Sequence, residues 1–415
     1  MSLKKIKRIP HDTLMATPYE LWKVIQAYLS KDLSIFGSNL LTNLENAFCK
    51  KFSIQHCMAV PNCTSAIYLA LTALGLKPGD EVIIPNLTHP STAYAATTLG
   101  LKIKLCDLEE NSFNLDLSYL KKLINKKTKA VIFCYLQGFP SNIEKVAAFC
   151  KKNNILLVED VAQGCGVSFP SGYSGSYGDA SCFSFGENKT LAIGEGGMCC
   201  FKNEEPYKNA LTIRHVGEFL KRKKVSTTVS NGTYKEIIES GFDYTAFGFN
   251  FRAFPPIFAV AQNRLKKFDK SIMNRQKKAM IYYEILKDIP GCQFPLNTKN
   301  ISSSAPIAFP VVLPKDIDLN KLIAKGVSLG LSLGKFYYPV LSDIAVFSKN
   351  NKGKFVNSKN IVKNMLLLPT YPILSVRSVK QIGKYIQHLL LEKDFNVEKV
   401  FLNTDVDFFD GFFLN

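Results

Sequence analysis

Several features that would place the chain in a specialised class of protein are missing from its sequence. The 415 residues include 11 cysteines, but none forms a CxxC pair and none lies in a ligand-like cluster with one of the five histidines. This pattern argues against a metal site and a disulfide framework, and it favours reduced, mostly buried thiols. Internal repeats and low-complexity tracts are also absent, so no repeat architecture is indicated.

Long apolar runs are the second feature that the chain lacks. The N-terminal stretch from Met1 to Pro10 is basic, but no apolar segment of signal-peptide or membrane-spanning length follows it. We therefore expect a protein of the cytoplasm with no membrane partner.

Acidic residues are few in comparison with basic ones. The chain has 34 Asp and Glu against 52 Lys and Arg, which gives a formal net charge of +18. The lysines are spread along the chain in pairs, and the longest basic run is 221–224. Such scatter favours solvated faces over a nucleic-acid-binding stripe, so we expect no nucleic-acid partner. A positive field would still favour an anionic small substrate.

The apolar content of 47% is enough for one large core and a smaller one. From about residue 55 to 200, short apolar runs alternate with helical patterns, which is typical of an α/β fold with an open, mostly parallel sheet. The predicted strands include 58–60, 81–85, 102–107, 129–135 and 155–160, and the predicted helices include 65–74 and 143–153. The chemically suggestive residues follow the carboxyl ends of these strands, where open α/β sheets bind ligands.

A second, smaller region is predicted toward the C-terminus. One long helical stretch runs from Pro256 to about Leu286, and a new strand pattern covers 308–313. We assign 1–270 to a large domain and 271–415 to a smaller α+β domain. The tail, 405–415, carries four phenylalanines that could cover an apolar patch or a partner.

The most informative segment runs from Cys182 to Gly197. It places Ser184 five positions before Lys189 and a glycine cluster after it, and it follows an apolar strand that ends in Glu159-Asp160. This is the layout of a pyridoxal phosphate site, in which a lysine holds the cofactor covalently, a serine reaches its phosphate and a carboxylate keeps a proton on the pyridine nitrogen. Taken alone, Lys189 would more simply be one surface lysine among many.

Three further positions are ambiguous on their own. Thr64 and Ser65 lie at the start of a predicted helix, where hydroxyl and free N–H groups bind an anion or simply cap the helix. His89, after the strand ending at Pro85, would stack on the cofactor ring or be an ordinary loop histidine. Asp160 could instead cap the turn that follows its strand.

Together these segments resemble one known family. The chain is similar, in motif order and spacing, to the DegT/DnrJ/StrS sugar aminotransferases from about Gly37 to Pro372. The motifs that carry the resemblance are 62–66 (NCTSA), 85–89 (PNLTH), 158–163 (VEDVAQ), 178–185 (GDASCFSF), 189–197 (KTLAIGEGG), 214–217 (RHVG) and 248–252 (GFNFR).

The resemblance implies a fold type I pyridoxal phosphate enzyme that works as a homodimer. Such an enzyme moves an amino group from glutamate to a nucleotide-linked keto sugar in amino-sugar biosynthesis, and its cofactor alternates between pyridoxal and pyridoxamine phosphate. The implied catalytic residues are Lys189 and Asp160, and the implied cofactor-binding residues are Thr64, Ser65, His89, Asp160, Gln163, Ser184, Lys189 and Asn250. Among these, Gln163 would lie beside the ring, and Asn250 would reach the phosphate of the neighbouring subunit, so that two chains build each site.

The chain departs from the family pattern at two positions. Cys63 stands where glycine is common, and His89 stands where Phe, Tyr or Trp is more usual. Lys189 is intact, whereas a minority of members carry histidine there and remove a hydroxyl, so transamination is favoured. The alternatives are a family enzyme acting on another carbonyl, such as a dehydratase or a cyclitol or aromatic amine synthase, and a non-catalytic pyridoxal phosphate-binding regulator. The run 335–339 would face the sugar or form a packed aromatic turn.

Overall fold

The computed structural model describes residues 16–35, 38–110, 112–219, 243–244, 246–295, 298–328, 331, 333–335, 338–349, 351 and 353–391. The basic N-terminal stretch, the basic run 221–224 and the phenylalanine-rich tail lie outside these residues, as does Gly37. Among the described residues no helix is long and apolar enough to cross a membrane.

A seven-stranded sheet forms the centre of the molecule, with its strands in the order β1-β9-β8-β5-β4-β2-β3. Strands β2, β3, β4, β5 and β8 pair in parallel, and β9 runs antiparallel to both of its neighbours. The strands are β1 His56–Val60, β2 Glu81–Pro85, β3 Lys102–Cys106, β4 Thr128–Cys134, β5 Leu156–Asp160, β8 Ala180–Ser184 and β9 Gly197–Phe201. Short pairs are β6 Ser168–Phe169 with β7 Gly172–Tyr173, and β10 Glu218–Phe219 with β11 Asp243–Tyr244. The mostly parallel α/β sheet predicted from the sequence is confirmed.

Helices cover both faces of this sheet. Side chains alternate across each strand, so Val131 enters the core on one face while Ala130 and Ile132 enter the core on the other. The helices of this region are α1 Pro18–Leu29, α2 Asn39–Phe52, α3 Cys63–Ala73, α4 Pro90–Thr98, α5 Leu117–Leu123, α6 Ile143–Lys152, α7 Glu204–Arg214, α8 Pro255–Lys266 and α9 Phe268–Leu286.

The long helix predicted from Pro256 to Leu286 is in fact two helices. The chain leaves helical geometry at Lys267, with φ −103° and ψ 8°, and a new helix begins at Phe268. Phe268 is buried and packs edge-on against Phe52, with ring centroids 5.7 Å apart. No proline or glycine lies at this break. The sequence therefore carries no local signal for it, and we attribute the break to tertiary packing rather than to local helix propensity.

A second sheet of three antiparallel strands lies in the C-terminal part of the chain, with the order β12-β14-β13. Its strands are β12 Ala308–Val312, β13 Gly334–Lys335 and β14 Met365–Pro369, and the accompanying helices are α10 Leu319–Ser328, α11 Ala345–Ser348, α12 Val356–Asn364 and α13 Val376–Leu391. Short 3-10 helices cover Thr298–Ser303 and Leu341–Asp343.

Helix α9 connects the two cores. Phe268 and Ile272 at its start belong to a core of the large sheet, whereas Tyr282 and Leu286 near its end belong to the core of the second sheet. Phe347, further along the chain, packs back into a core of the large sheet. The domain boundary at residue 270 remains a prediction.

Candidate active site

A cavity of about 540 Å³ lies where the parallel strands end and the second sheet approaches. One wall comes from the large sheet, and the opposing residues come from α9, β12 and the segment after β14. Six of the predicted site residues line this cavity, and they are Thr64, His89, Asp160, Gln163, Ser184 and Lys189.

Lys189 reaches the cavity from the turn that follows β8. Its backbone N–H donates to the carbonyl of Gly186 at 3.1 Å, which closes this turn. Within the described part of the chain the amine forms no ion pair, and burial lowers the pKa of Lys189 while Cys63 and Asp160 oppose the shift. A lowered pKa makes the neutral, nucleophilic amine more available.

Asp160 is the last residue of β5 and is buried. The hydroxyl of Thr92 donates to its Oδ2 at 2.7 Å, and the backbone N–H of Ala162 donates to its Oδ1 at 3.0 Å. The thiols of Cys63 and Cys134 lie 3.8 Å and 3.9 Å from the two oxygens. These contacts fix the orientation of the carboxylate and supply it with hydrogen-bond donors away from water.

The neighbouring carboxylate, Glu159, points to the other face of the sheet and is also buried. It accepts a short hydrogen bond from the Tyr135 hydroxyl and three from the backbone N–H groups of Gly175, Tyr177 and Gly178, at 2.7, 2.8 and 2.6 Å. Burial raises the pKa of Glu159 although these donors act against the shift. Glu159 therefore holds a loop in place, and Asp160 alone of this pair borders the cavity.

The start of helix α3 forms one end of the cavity. Asn62 caps the helix by accepting the N–H of Ser65 at 2.9 Å. Gly197 lets β9 come close to this cap, because an added Cβ would lie 2.9 Å from the carbonyl carbon of Asn62. The hydroxyl-bearing residues Thr64 and Ser184 line the cavity, whereas Ser65 is buried and does not line it. The phosphate-binding role of Ser65 stays a prediction.

His89 lies at the mouth of the cavity and caps helix α4. Its Nδ1 accepts the backbone N–H of Ser91 at 3.2 Å, and its ring meets the edge of Tyr338 with centroids 5.3 Å apart. Burial, followed by the charge of Lys189, lowers the pKa of His89, and Asp160 opposes the shift. Both functions proposed from the sequence remain available to this ring.

Gln163 forms hydrogen bonds with two residues, and the sequence alone did not predict that these three residues lie together. Its Oε1 accepts the backbone N–H of Gln137 at 3.0 Å, and its Nε2 donates to the hydroxyl of Tyr338 at 3.1 Å. Gln137 adopts a left-handed φ of 54°, which no sequence signal marked. Tyr338 belongs to the run 335–339 and lines the cavity, whereas residues 336 and 337 lie outside the described part.

An ion pair from the N-terminal helix borders the same cavity. Arg264 on α8 donates from Nε and Nη2 to the two oxygens of Glu20, at 2.9 and 3.1 Å. Burial alone would raise the pKa of Glu20, but the hydrogen bonds and charge of Arg264 lower it to about 2. The partners are 244 residues apart, so no local pattern could have revealed them.

Asn250 does not line this cavity. It is exposed, and its backbone forms an isolated bridge with His215. Within the described ranges, no group of three or more His, Cys, Asp or Glu residues is placed to hold a metal ion.

The arrangement suits pyridoxal phosphate in its chemistry. An amine without an ion pair and with a lowered pKa matches the aldehyde, a fixed buried carboxylate matches a protonated ring nitrogen, and a hydroxyl at a helix N-terminus matches a phosphate. The residues in these three positions are Lys189, Asp160 and Thr64, and the hydroxyl of Ser184 lines the same cavity.

Comparison with known proteins decides the family. The model of the DegT/DnrJ/EryC1/StrS aminotransferase family matches residues 19–387. The chain belongs to this family. The predicted family is therefore confirmed, and pyridoxal phosphate is the family's cofactor.

Individual relatives share this sequence only in part. GDP-perosamine synthase of Escherichia coli O157:H7 is 30% identical over 244 residues, which are 59% of this chain and 62% of that protein. GDP-4-keto-6-deoxy-D-mannose 3-dehydratase of Escherichia coli O55:H7 is 28% identical over 71% of this chain and 76% of that protein. The chain thus matches about three fifths of the length of the synthase.

A solved structure shows the fold. The structure of the E. coli GDP-4-keto-6-deoxy-D-mannose-3-dehydratase with bound hydrated PLP superposes with a TM-score of 0.82 and 23% sequence identity, and it covers 93% of this chain and 100% of the other. The predicted fold, that of the type I pyridoxal phosphate enzymes, is confirmed.

Proposed function

We propose that this protein is a transaminase that moves an amino group from glutamate to a nucleotide-linked keto sugar, as a step in amino-sugar biosynthesis. The observation that carries the proposal is the amine of Lys189, whose pKa is lowered by desolvation, which has no ion pair within the described residues and which shares a cavity with the fixed carboxylate of Asp160. Family membership supports the reaction class.

The cofactor's part in the reaction is limited to one property: when bound, pyridoxal phosphate withdraws electrons and so acidifies the α-carbon of an attached amino acid. The freed Nζ of Lys189 would act as the base that takes the proton from that carbon and as the acid that gives it back. Asp160, whose two oxygens are oriented by Thr92 and Ala162, would hold a proton on the ring nitrogen. Thr64 and Ser184, which line the same cavity, would bind the phosphate and so hold the cofactor near both groups.

The acceptor is proposed to be a keto sugar attached to a nucleoside diphosphate. One relative is named for GDP-perosamine synthesis and another for the dehydration of GDP-4-keto-6-deoxy-D-mannose. The second relative is a dehydratase, which is the alternative function for this protein. The intact Lys189 favours amino transfer instead. The positive net charge of +18 also suits an anionic acceptor.

A substrate screen tests the function. Purified protein with pyridoxal phosphate is incubated with glutamate and UDP-, GDP- or dTDP-linked keto sugars, and the release of 2-oxoglutarate is measured. We expect turnover with at least one acceptor and none with the Lys189→Ala variant. If a keto sugar loses a hydroxyl without gaining nitrogen, the dehydratase alternative is correct; if no acceptor reacts and the cofactor does not respond to glutamate, a regulatory function replaces the proposal.

We also propose that two chains form each active site. Asn250 is exposed and lies outside its own chain's cavity, which suits a residue that contacts the cofactor phosphate of a partner. The apolar side chains of α1, such as Trp22 and Tyr28, are about half exposed at 50% and 52% and offer area for such a contact. The enzyme is therefore expected to be a homodimer.

Subunit mixing tests this shared site. Lys189→Ala and Asn250→Asp should each be inactive, the second because a carboxylate repels the phosphate. After random exchange, about a quarter of all sites receive an intact lysine from one chain and an intact asparagine from the other. Recovery of that fraction of activity is expected; exchange without recovery, or a fully active monomer, would contradict the proposal.

A further inference from the structure

Two buried cations of helix α9 are not accounted for by the chemistry at Lys189. Arg275 is 6% exposed and Lys278 is 1% exposed, and they lie one helical turn apart. Within the described ranges neither forms an ion pair with a carboxylate. Buried charges in proteins are normally paired, so an uncompensated pair of cations indicates that an anion binds nearby.

Arg275 leaves one edge of its guanidinium group unpaired. Its Nη1 donates to the carbonyls of Pro306 and Ile307 at 3.1 and 3.3 Å, and its buried Nε has no partner within the described structure. The N–H groups of Nε and Nη2 form the edge that matches the two oxygens of a carboxylate. Arg275 also lines the cavity that contains Lys189.

Lys278 is a second basic residue behind the same wall, and it does not neutralise the charge of Arg275. Its Nζ donates to the carbonyls of Tyr371 and Pro372 at 2.6 and 2.8 Å, and both of these residues line the cavity. Burial lowers the pKa of Arg275 to about 10, and burial together with the charge of Arg275 lowers the pKa of Lys278 to about 7. An anion at this wall would relieve both penalties.

The other cations of the cavity behave differently. Arg264 is neutralised by the two oxygens of Glu20, and Lys189 lies in the field of Asp160. Phosphate groups have hydroxyl and helix N-terminal donors at the opposite wall, at Thr64 and Ser184. The free edge of Arg275 is thus separate from these phosphate donors, and its two parallel N–H groups match the two oxygens of one carboxylate.

We propose that Arg275 binds a carboxylate of the amino donor and thereby selects glutamate. This inference rests on the proposed amino transfer. Arg275 would orient the donor from the second sheet, and Lys278 would strengthen the site through its charge and by fixing the Tyr371–Pro372 segment.

Two kinds of variant test the proposal, so that the test still works if one of them does not fold. Arg275→Lys keeps the charge but loses the two-pronged edge. Ser271→Glu leaves Arg275 in place and offers it an internal carboxylate, because Ser271 lines the cavity four residues earlier on the same helix. Ser271→Gln is the matched neutral control.

The primary readout is the glutamate concentration that half-saturates the loss of the bound cofactor's visible absorbance, without any sugar. We expect it to rise about 10- to 100-fold in Arg275→Lys and in Ser271→Glu, and to stay near the wild-type value in Ser271→Gln. The KM of the nucleotide sugar should change little. Unchanged glutamate dependence in a folded Arg275→Lys protein overturns the proposal, and so does an effect confined to the nucleotide sugar.

An unreactive ligand separates this inference from the proposed function. Calorimetry with glutarate, a dicarboxylate without an amino group, should show weaker binding to Arg275→Lys and to Ser271→Glu than to wild type by a similar factor. If the wild-type protein binds glutarate through Arg275 but never reacts with glutamate, the proposed transaminase function is wrong and the carboxylate site is correct. If all variants bind glutarate equally, only the proposed site at Arg275 is wrong. If Arg275→Lys does not fold, the Ser271 pair decides.

Discussion

The two walls of the cavity are built and charged in different ways. The wall of the large sheet carries Lys189 and Asp160 at the carboxyl ends of neighbouring strands, where a cation and an anion share one environment. The wall of the second sheet carries Arg275, with Lys278 behind it, and within the described residues neither cation forms an ion pair with a carboxylate. Balanced charge suits proton transfer, whereas unbalanced charge suits the recognition of an anion.

The largest effect is expected at the wall of the large sheet. Lys189→Ala should remove both the covalent bond to the cofactor and the proton shuttle, and should lower turnover on the order of 10²- to 10⁴-fold or more. The visible absorbance of covalently bound cofactor should disappear while the fold is kept. Lys202→Ala, at an exposed lysine, is the control and should behave as wild type. Substantial activity in Lys189→Ala would remove the lysine from its role.

Substitutions at the two adjacent carboxylates of β5 should have different effects, one on the reaction rate and the other on stability. Asp160→Asn should fold but lose roughly 10²-fold or more in rate, since a neutral amide cannot hold the proton on the ring nitrogen. Glu159→Gln should instead unfold more easily, by about 1–3 kcal/mol or more, because an amide faces four hydrogen-bond donors with one oxygen. Steady-state kinetics and urea unfolding of both variants measure the split. If Asp160→Asn lost mainly stability and Glu159→Gln lost mainly rate, the assignment of the two carboxylates would be wrong.

A smaller effect is expected at His89, whose two possible roles can be tested apart. His89→Phe keeps a ring that can stack but loses the cap of α4, and His89→Asn keeps a cap but loses the ring. If the ring stacks, His89→Asn should bind pyridoxal phosphate about 3- to 10-fold more weakly and His89→Phe about as tightly as wild type. Titration of the apoprotein by absorbance gives both affinities. The opposite order would make His89 a capping residue only.

A pH dependence of stability, rather than of activity, is expected at the wall of the second sheet. The pKa of Lys278 is lowered to about 7 in the folded chain, whereas an unfolded lysine titrates near 10.4. Between these values the unfolded chain binds more protons, so the contribution of Lys278 to stability rises with pH from about 7 and is complete above about 10.4. Wild type should therefore gain stability relative to Lys278→Met between pH 7 and 9 in urea unfolding. A constant or falling difference would contradict the lowered pKa of Lys278 in the folded chain.

The wall of the large sheet could be predicted because its signals are local. Apolar runs located the strands, and the residues after each run, Asp160 and Lys189 among them, were placed at the sheet's carboxyl edge by a general rule of α/β folds. The resemblance to a family then assigned roles to them. Six of the predicted residues line one cavity as a result.

The wall of the second sheet could not be predicted in the same way. Arg275 looks like any surface residue of an amphipathic helix, and its burial depends on carbonyls more than 30 residues away. The pairing of Arg264 with Glu20 and the left-handed backbone at Gln137 likewise arise from tertiary contacts. The break at Lys267 was missed because packing of Phe268 determines it.

The most direct test of amino transfer at Lys189 is a single-turnover reaction with glutamate in the absence of any sugar. The purified holoenzyme is mixed with excess glutamate, and the visible absorbance of the cofactor and the amount of 2-oxoglutarate are followed together. The predicted result is bleaching of the absorbance with about one 2-oxoglutarate released per bound cofactor. An unchanged spectrum with no 2-oxoglutarate, from protein that carries the cofactor on Lys189, would contradict a glutamate-dependent transaminase.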